Sequence, residues 1–221
     1  MLNETIFAFL RELKANNNRE WFAANKPRYE AIREQVVETV TQLIHAVALF
    51  DPEIQHLEAS KCLFRIYRDI RFSPDKSPYK THIGAVLYPP RLGKTSGFYL
   101  HIDPEGSFIS CGHYMLRPDQ LKIMRKGIYD NFDAFSEILN EKEFKQTLGD
   151  LCRDDDTLSR VPNGFDKDHP AAEYMKLKHF YIFKDLQAKE LFSPDFVNYA
   201  ASIFKIMQPL NAFLNELLEE E

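Results

Sequence analysis

Cysteine is scarce in this chain, and its placement excludes two kinds of architecture. The three cysteines, Cys62, Cys111 and Cys152, are odd in number and show no Cys-x-x-Cys spacing. Neither a disulfide framework nor a zinc module is expected, and a reducing compartment fits best. Long apolar runs are absent as well: none approaches the ~20 residues that span a bilayer. Met1 to Thr5 carries no basic segment leading into an apolar one, so no export signal is read there. The expected setting is the cytoplasm, with no membrane partner. Positive charge is also short. A formal net charge of -5 argues against non-specific nucleic-acid binding, which needs a broad basic surface. No repeat, low-complexity tract or separating linker interrupts the 221 residues, so 1–221 reads as a single domain.

The apolar residues that are present fall into helical and β periods. Residues 1–50 read as helical: Ile6, Phe9, Leu10 and Leu13 follow Asn3 at helical spacing, and Asn18 is placed to cap a turn carrying Trp21 and Phe22. Pro27 is expected at the first position of a long helix with Tyr29, Ile32, Val36, Val40, Leu43 and Val47 inward. From about 61 to 114 the pattern turns to β. Phe64, Ile66 and Ile70 alternate with Arg65, Tyr67, Asp69 and Arg71, and Arg68 breaks the alternation, which calls for a bulge or a buried, paired arginine. A second strand is expected over 82–88. Two more, Phe98 to Ile102 and Ser107 to Cys111, flank Asp103-Pro104-Glu105-Gly106, a tight-turn sequence that predicts a hairpin. Residues 118–177 read as shorter helices, Phe180 to Phe183 as a strand buried on both faces, and 193–218 as a long helix opened by Ser193 and Pro194 and kinked or divided at Pro209. The expected fold class is α+β: a mostly antiparallel sheet with N- and C-terminal helices packed on one face.

Chemistry concentrates between residues 65 and 80, where five cations, Arg65, Arg68, Arg71, Lys76 and Lys80, stand against two carboxylates, Asp69 and Asp75. Guanidinium forks match carboxylate or phosphate oxygens in pairs, lysine adds a point charge, and Tyr79 can donate to the same anion. Two prolines, Pro74 and Pro78, restrict the connecting loop. The expectation is a site for a small anionic or phosphorylated ligand on Arg65, Arg68, Arg71, Lys76, Tyr79 and Lys80. The alternative for the same residues is an ion-pair network that binds nothing.

The run Arg65-x-x-Arg68-Asp69-x-Arg71-Phe72-x-x-Asp75-Lys76-x-Pro78-Tyr79-Lys80 resembles the signature of a mainly bacterial family, also found in fungi, catalogued as domain of unknown function 2461. Val161-Pro162-x-Gly164-Phe165-x-x-Asp168-His169-Pro170, followed by Tyr174 and Leu177-Lys178, is similar to that family too. The resemblance spans most of the chain. It implies that Arg65, Arg68, Asp69, Arg71, Asp75, Lys76 and Tyr79 form the family's site, and it assigns them no reaction.

An enzyme at the same site would use Asp69 or Asp75 as general base, or His169 as general acid, with arginines stabilising negative charge. A third reading is an interaction module meeting an acidic protein or RNA. Asp166, Asp168 and His169 read more simply as a turn and helix start with Asp168 as the cap. His82, His101 and His113, with Cys111, stand on or near strand ends but show no metal-binding spacing, so no metal and no cofactor are expected. Gly93-Lys94-Thr95 imitates the end of a phosphate loop, yet the earlier glycine is Tyr88 and no helix follows.

Overall fold

Helix α1 (Thr5–Ala15) forms as its apolar spacing requires, with Ile6, Phe9, Leu10 and Leu13 fully buried. The Asn3 side chain accepts from the Thr5 backbone N–H at 3.0 Å and opens it. In the computed structural model, which describes residues 1–88 and 97–219, α2 runs Arg19–Val47. Its cap is Asn18, whose side chain accepts from Trp21 N at 2.9 Å. Pro27 therefore lies inside α2, not at its start. The Asn18 cap and the burial of Phe22 outweigh the single N–H donor that an internal proline removes.

A short 3-10 turn (Pro52–Ile54) and α3 (Ala59–Cys62) lead into the basic stretch. No regular strand forms over 64–71. Among the described residues two isolated antiparallel bridges stand in its place, Leu63 with Ala85 and Tyr67 with Tyr79. Side chains here bind the backbone two residues on, Asp69 to Arg71 N at 3.2 Å and Asp75 to Ser77 N at 2.9 Å. Those turns compete with a ladder, and Pro74 and Pro78 remove two of its donors. The named strands are β1 (Ile83–Leu87), β2 (Phe98–Ile102), β3 (Ser107–His113) and β4 (Phe180–Leu186), in the antiparallel order β1-β2-β3-β4. The β2–β3 hairpin closes as its turn sequence predicts, with Gly106 N donating to Asp103 O at 3.2 Å. Residues 89–96, which hold Gly93-Lys94-Thr95, lie outside the described residues.

After β3 come α4 (Pro118–Asp130), α5 (Phe132–Asn140), α6 (Lys142–Thr147) and α7 (Ala172–Met175); α8 (Ala188–Leu191) and α9 (Phe196–Glu216) follow β4. Gly149, at φ 85°, ends α6 in a left-handed cap that suits glycine. Strand β4 is not buried on both faces. Phe180, Ile182 and Leu186 point inward while Phe183 is exposed, as an edge strand allows. Helix α9 continues through Pro209 undivided.

The chain folds into two compact units. The first comprises Met1–Leu87, Tyr99–Ile109 and Asp185–Ser202; the second, Tyr88–Phe98, Ser110–Lys184 and Ile203–Glu221. The first unit has a core of α1 and α2 side chains, extended by rings: Phe22 stacks on Tyr79 with centroids 4.1 Å apart, and Phe9 meets Trp21 at 5.7 Å. The second packs Met124, Ile128, Phe135, Phe144, Met175, Phe204 and Met207, all fully buried or nearly so. In that unit Gly112, at φ 106°, crosses β4 so closely that a Cβ would stand 2.2 Å from Phe180 O. The class is α+β, with an antiparallel sheet between N- and C-terminal helices in the chain order. Among the described residues no helix is long and apolar enough to cross a membrane.

Candidate functional site

The basic stretch lies wholly in the first unit, and the structure sorts its cations into engaged and available ones. Arg68 is the most engaged. Its backbone N–H donates to Pro78 O at 2.9 Å, and its guanidinium pairs with Asp75 and donates to Ser77 O at 3.2 Å. It is the paired arginine that the broken alternation calls for, and it ties the loop 73–78 to its own root. Arg71 forks onto Asp69 through Nε at 3.0 Å and Nη2 at 2.7 Å, yet stays largely exposed beside Phe72. Lys76 Nζ donates to Ile70 O at 2.9 Å.

Both carboxylates of the stretch are similarly committed. The Arg71 side chain and backbone N–H hold Asp69 down to about 2. Asp75 is held at about 2 by the Ser77 hydroxyl and N–H and then by Arg68. A general base works best with a pKa near the working pH, and these groups sit far below neutrality.

Tyr79 belongs to the scaffold. Its ring is 5% exposed and stacked on Phe22, and Asn17 brackets its backbone, accepting from N at 3.1 Å and donating to O at 2.9 Å. What remains available is Arg65 and Lys80. Lys80 N donates to Ile66 O at 2.8 Å, which sets Lys80 opposite Ile66, and its ammonium lies 5.1 Å from the Phe64 ring centroid. Burial and then the Arg65 charge lower the Lys80 pKa. Among the described residues neither cation has a carboxylate within ion-pair distance.

A second cluster in the same unit joins His82 and His101, set aside in the sequence for lack of metal-binding spacing, to Tyr99 and Asp103, which sequence reasoning missed. Along β2 the burial alternates, so Tyr99 and His101 leave the face that buries Phe98, Leu100 and Ile102. The Tyr99 hydroxyl lies 2.8 Å from His101 Nδ1, and the His101 ring stacks on Phe108 at 4.6 Å. His82 approaches from the start of β1 and Asp103 from the hairpin turn. Burial lowers the pKa of His82, helped by the Lys80 charge, and lowers that of His101 to about 4, helped by His82. Two histidines with an intervening strand give no sequence spacing to find, and Asp103, two residues after His101, reads only as the first residue of a turn.

The other singled-out residues have local roles in the second unit. His113 Nε2 meets Asn215 Oδ1 at 2.9 Å in the core, and Cys111 Sγ lies 3.7 Å from Met207 O. His169 stacks on Tyr129 at 4.0 Å, and its Nδ1 accepts from Ala171 N at 3.1 Å. That imidazole, not Asp168, caps the turn into α7, while the Asp166 carboxylate accepts from Asp168 N at 2.9 Å. A cleft of about 600 Å³ opens elsewhere in the first unit, lined by Phe7, Arg11, Asp103, Glu105 and Phe192 among others; no residue of 65–80 lines it.

The fold and site thus define an α+β protein whose first unit carries a ring-supported cluster of arginine, lysine and histidine. The sequence profile of the family described as "Conserved hypothetical protein (DUF2461)" matches residues 5–213, and the chain belongs to that family. No curated protein matches the chain, and no solved structure does.

Proposed function

We propose that the first unit binds a small anionic or phosphorylated ligand, with Arg65 and Lys80 as its main contacts, Arg71 and Lys76 at the margin, and the Arg68–Asp75 and Phe22–Tyr79 pairs as scaffold. One observation carries the reading: among the described residues neither Arg65 nor Lys80 has a paired carboxylate, the Arg65 charge acts on Lys80, and Lys80 is partly buried. Like charges held together in a partly desolvated place are unfavourable, and an incoming anion relieves that cost. The guanidinium supplies a two-pronged contact and the ammonium a point charge. Cys62, Cys111 and Cys152 form no disulfide among the described residues, in keeping with a reducing, cytoplasmic setting.

The test is a thermal-shift screen of the purified chain against phosphate, sulfate, nucleotides, sugar phosphates and carboxylates. A ligand at ~100 times its dissociation constant stabilises by roughly 2.7 kcal/mol. The shift is expected to disappear in Arg65→Ala and Lys80→Met, both of which retain the apo melting temperature. A screen in which no anion stabilises the wild type overturns the reading. Turnover of a confirmed ligand then decides whether the site is an enzyme's. A protein-binding alternative has one observation in its favour: Phe72 is 94% exposed, next to the exposed Arg71.

A further inference from the structure

His82 stands just before β1, His101 in β2 and Asp103 in the turn that follows it, and each offers one potential ligand atom. Those atoms lie within 4.8 Å of one another. The two imidazole centroids are 4.5 Å apart, and His101 Nε2 is 3.8 Å from Asp103 Oδ2. Metal–nitrogen and metal–oxygen bonds of ~2.0–2.2 Å hold neighbouring ligand atoms roughly 3 Å apart, so closure around an ion takes side-chain movements of about 1 Å.

The supports of this cluster are what distinguish it from a chance meeting of polar groups. His101 is held from two sides, by stacking on Phe108 and by the Tyr99 hydroxyl on Nδ1, and this leaves Nε2 facing Asp103. Tyr99 can reach that position because β1 carries a glycine beneath it; a Cβ on Gly84 would stand 2.5 Å from the Tyr99 oxygen. Asp103 is oriented too. Its Oδ1 accepts from Glu105 N at 2.9 Å, and Oδ2 is the oxygen turned toward His101. A metal-binding histidine characteristically gives its second nitrogen to such an orienting partner, which sets tautomer and ring direction.

We propose that His82, His101 and Asp103 bind a divalent first-row transition metal ion, with Tyr99 as a positioning residue that accepts from His101 Nδ1–H. Two imidazoles and one carboxylate suit Zn(II), Co(II), Ni(II) or Fe(II), whereas Mg(II) and Ca(II) favour oxygen ligands throughout. Three protein ligands leave coordination positions open for water or an exogenous ligand. The side chains of His101 and Asp103 are 15% and 20% exposed, so the position is sheltered but reachable, and Asp103 also forms part of the wall of the 600 Å³ cleft. The Lys80 ammonium near His82 opposes a cation, and the Asp103 carboxylate offsets it.

The deciding experiment titrates the full chain, stripped with a chelator and dialysed, with Co(II) chloride alone, following visible absorption and melting temperature. The expected result is saturable binding of a single Co(II) per chain with new visible bands. Asp103→Asn and His82→Gln each weaken it at least ~10-fold, and Tyr99→Phe weakens it about 10-fold, as loss of an orienting partner does. Far-UV circular dichroism of these near-isosteric variants confirms that each is folded. His179→Gln, which alters a separate His–Asp pair in the second unit, leaves binding unchanged. Binding no tighter than ~1 mM, or binding that survives all three substitutions in the cluster, overturns the proposal. Chloride is the only anion added and the readouts follow bound Co(II), so the outcome is independent of the Arg65–Lys80 reading.

Discussion

Arg68 pairs with Asp75 across the turn that separates them, and the Asp75 carboxylate also accepts from the Ser77 hydroxyl at 2.6 Å and its N–H at 2.9 Å. One carboxylate thus closes the loop twice, once through an arginine at its root and once through its own turn. Arg68, which breaks the expected strand alternation, is the clasp of a loop.

Removing the clasp should cost stability, not affinity. Arg68→Ala is expected to lower unfolding free energy by about 1–2 kcal/mol, the scale of a charge-assisted hydrogen bond with partial exposure. Urea denaturation reads this directly. A loss of anion response at unchanged stability would instead place Arg68 among the ligand contacts.

Tyr79 separates packing from hydrogen bonding in the same way. Tyr79→Ala opens a hole beneath Phe22 and should cost about 3–5 kcal/mol. Tyr79→Phe keeps the stack and should melt within a few degrees of wild type. If Tyr79→Phe also keeps the anion response, the hydroxyl takes no part in binding.

Gly112 should tolerate no side chain. At φ 106° and with Phe180 O 2.2 Å from the position of a Cβ, Gly112→Ala combines backbone strain with a clash against backbone that cannot swing away. A loss of at least ~2 kcal/mol is expected, visible as a lower urea midpoint or as insoluble protein. A variant with wild-type stability would contradict the close crossing with β4.

His113 should make stability fall on mild acidification. Its ring is 1% exposed, and burial lowers its pKa from 6.5 to about 4 against the smaller opposing effect of Asn215. Between those values the unfolded chain holds a proton that the folded chain does not, so stability rises with pH across the window. The His113 contribution is fully present above the unfolded pKa and is lost progressively as pH falls from about 6.5 toward 4, by roughly 3 kcal/mol in all. His101 is lowered by burial as well, so the contribution of His113 is isolated by comparing wild type with His113→Gln. Urea unfolding at several pH values should show a flatter dependence in the variant.

Local grammar alone determined much of this protein. Ile6, Phe9, Leu10 and Leu13 specify one side of α1, Asn18 opens α2, and Asp103-Pro104-Glu105-Gly106 closes the hairpin, because each depends on neighbours within a turn or two. Family membership was legible for a related reason, since the dense run from Arg65 to Lys80 is contiguous. Tertiary structure decided which of those charges are available. Arg68 and Tyr79 became scaffold, Arg65 and Lys80 have no paired carboxylate among the described residues, and the strand expected around Ile66 gave way to turns, because prolines and Asx-type hydrogen bonds outcompeted a ladder. It also decided which histidines meet. His82 and His101 approach because β1 and β2 are neighbours in the sheet, while His113 is turned to Asn215, and a strand's period cannot say which strand will lie beside it.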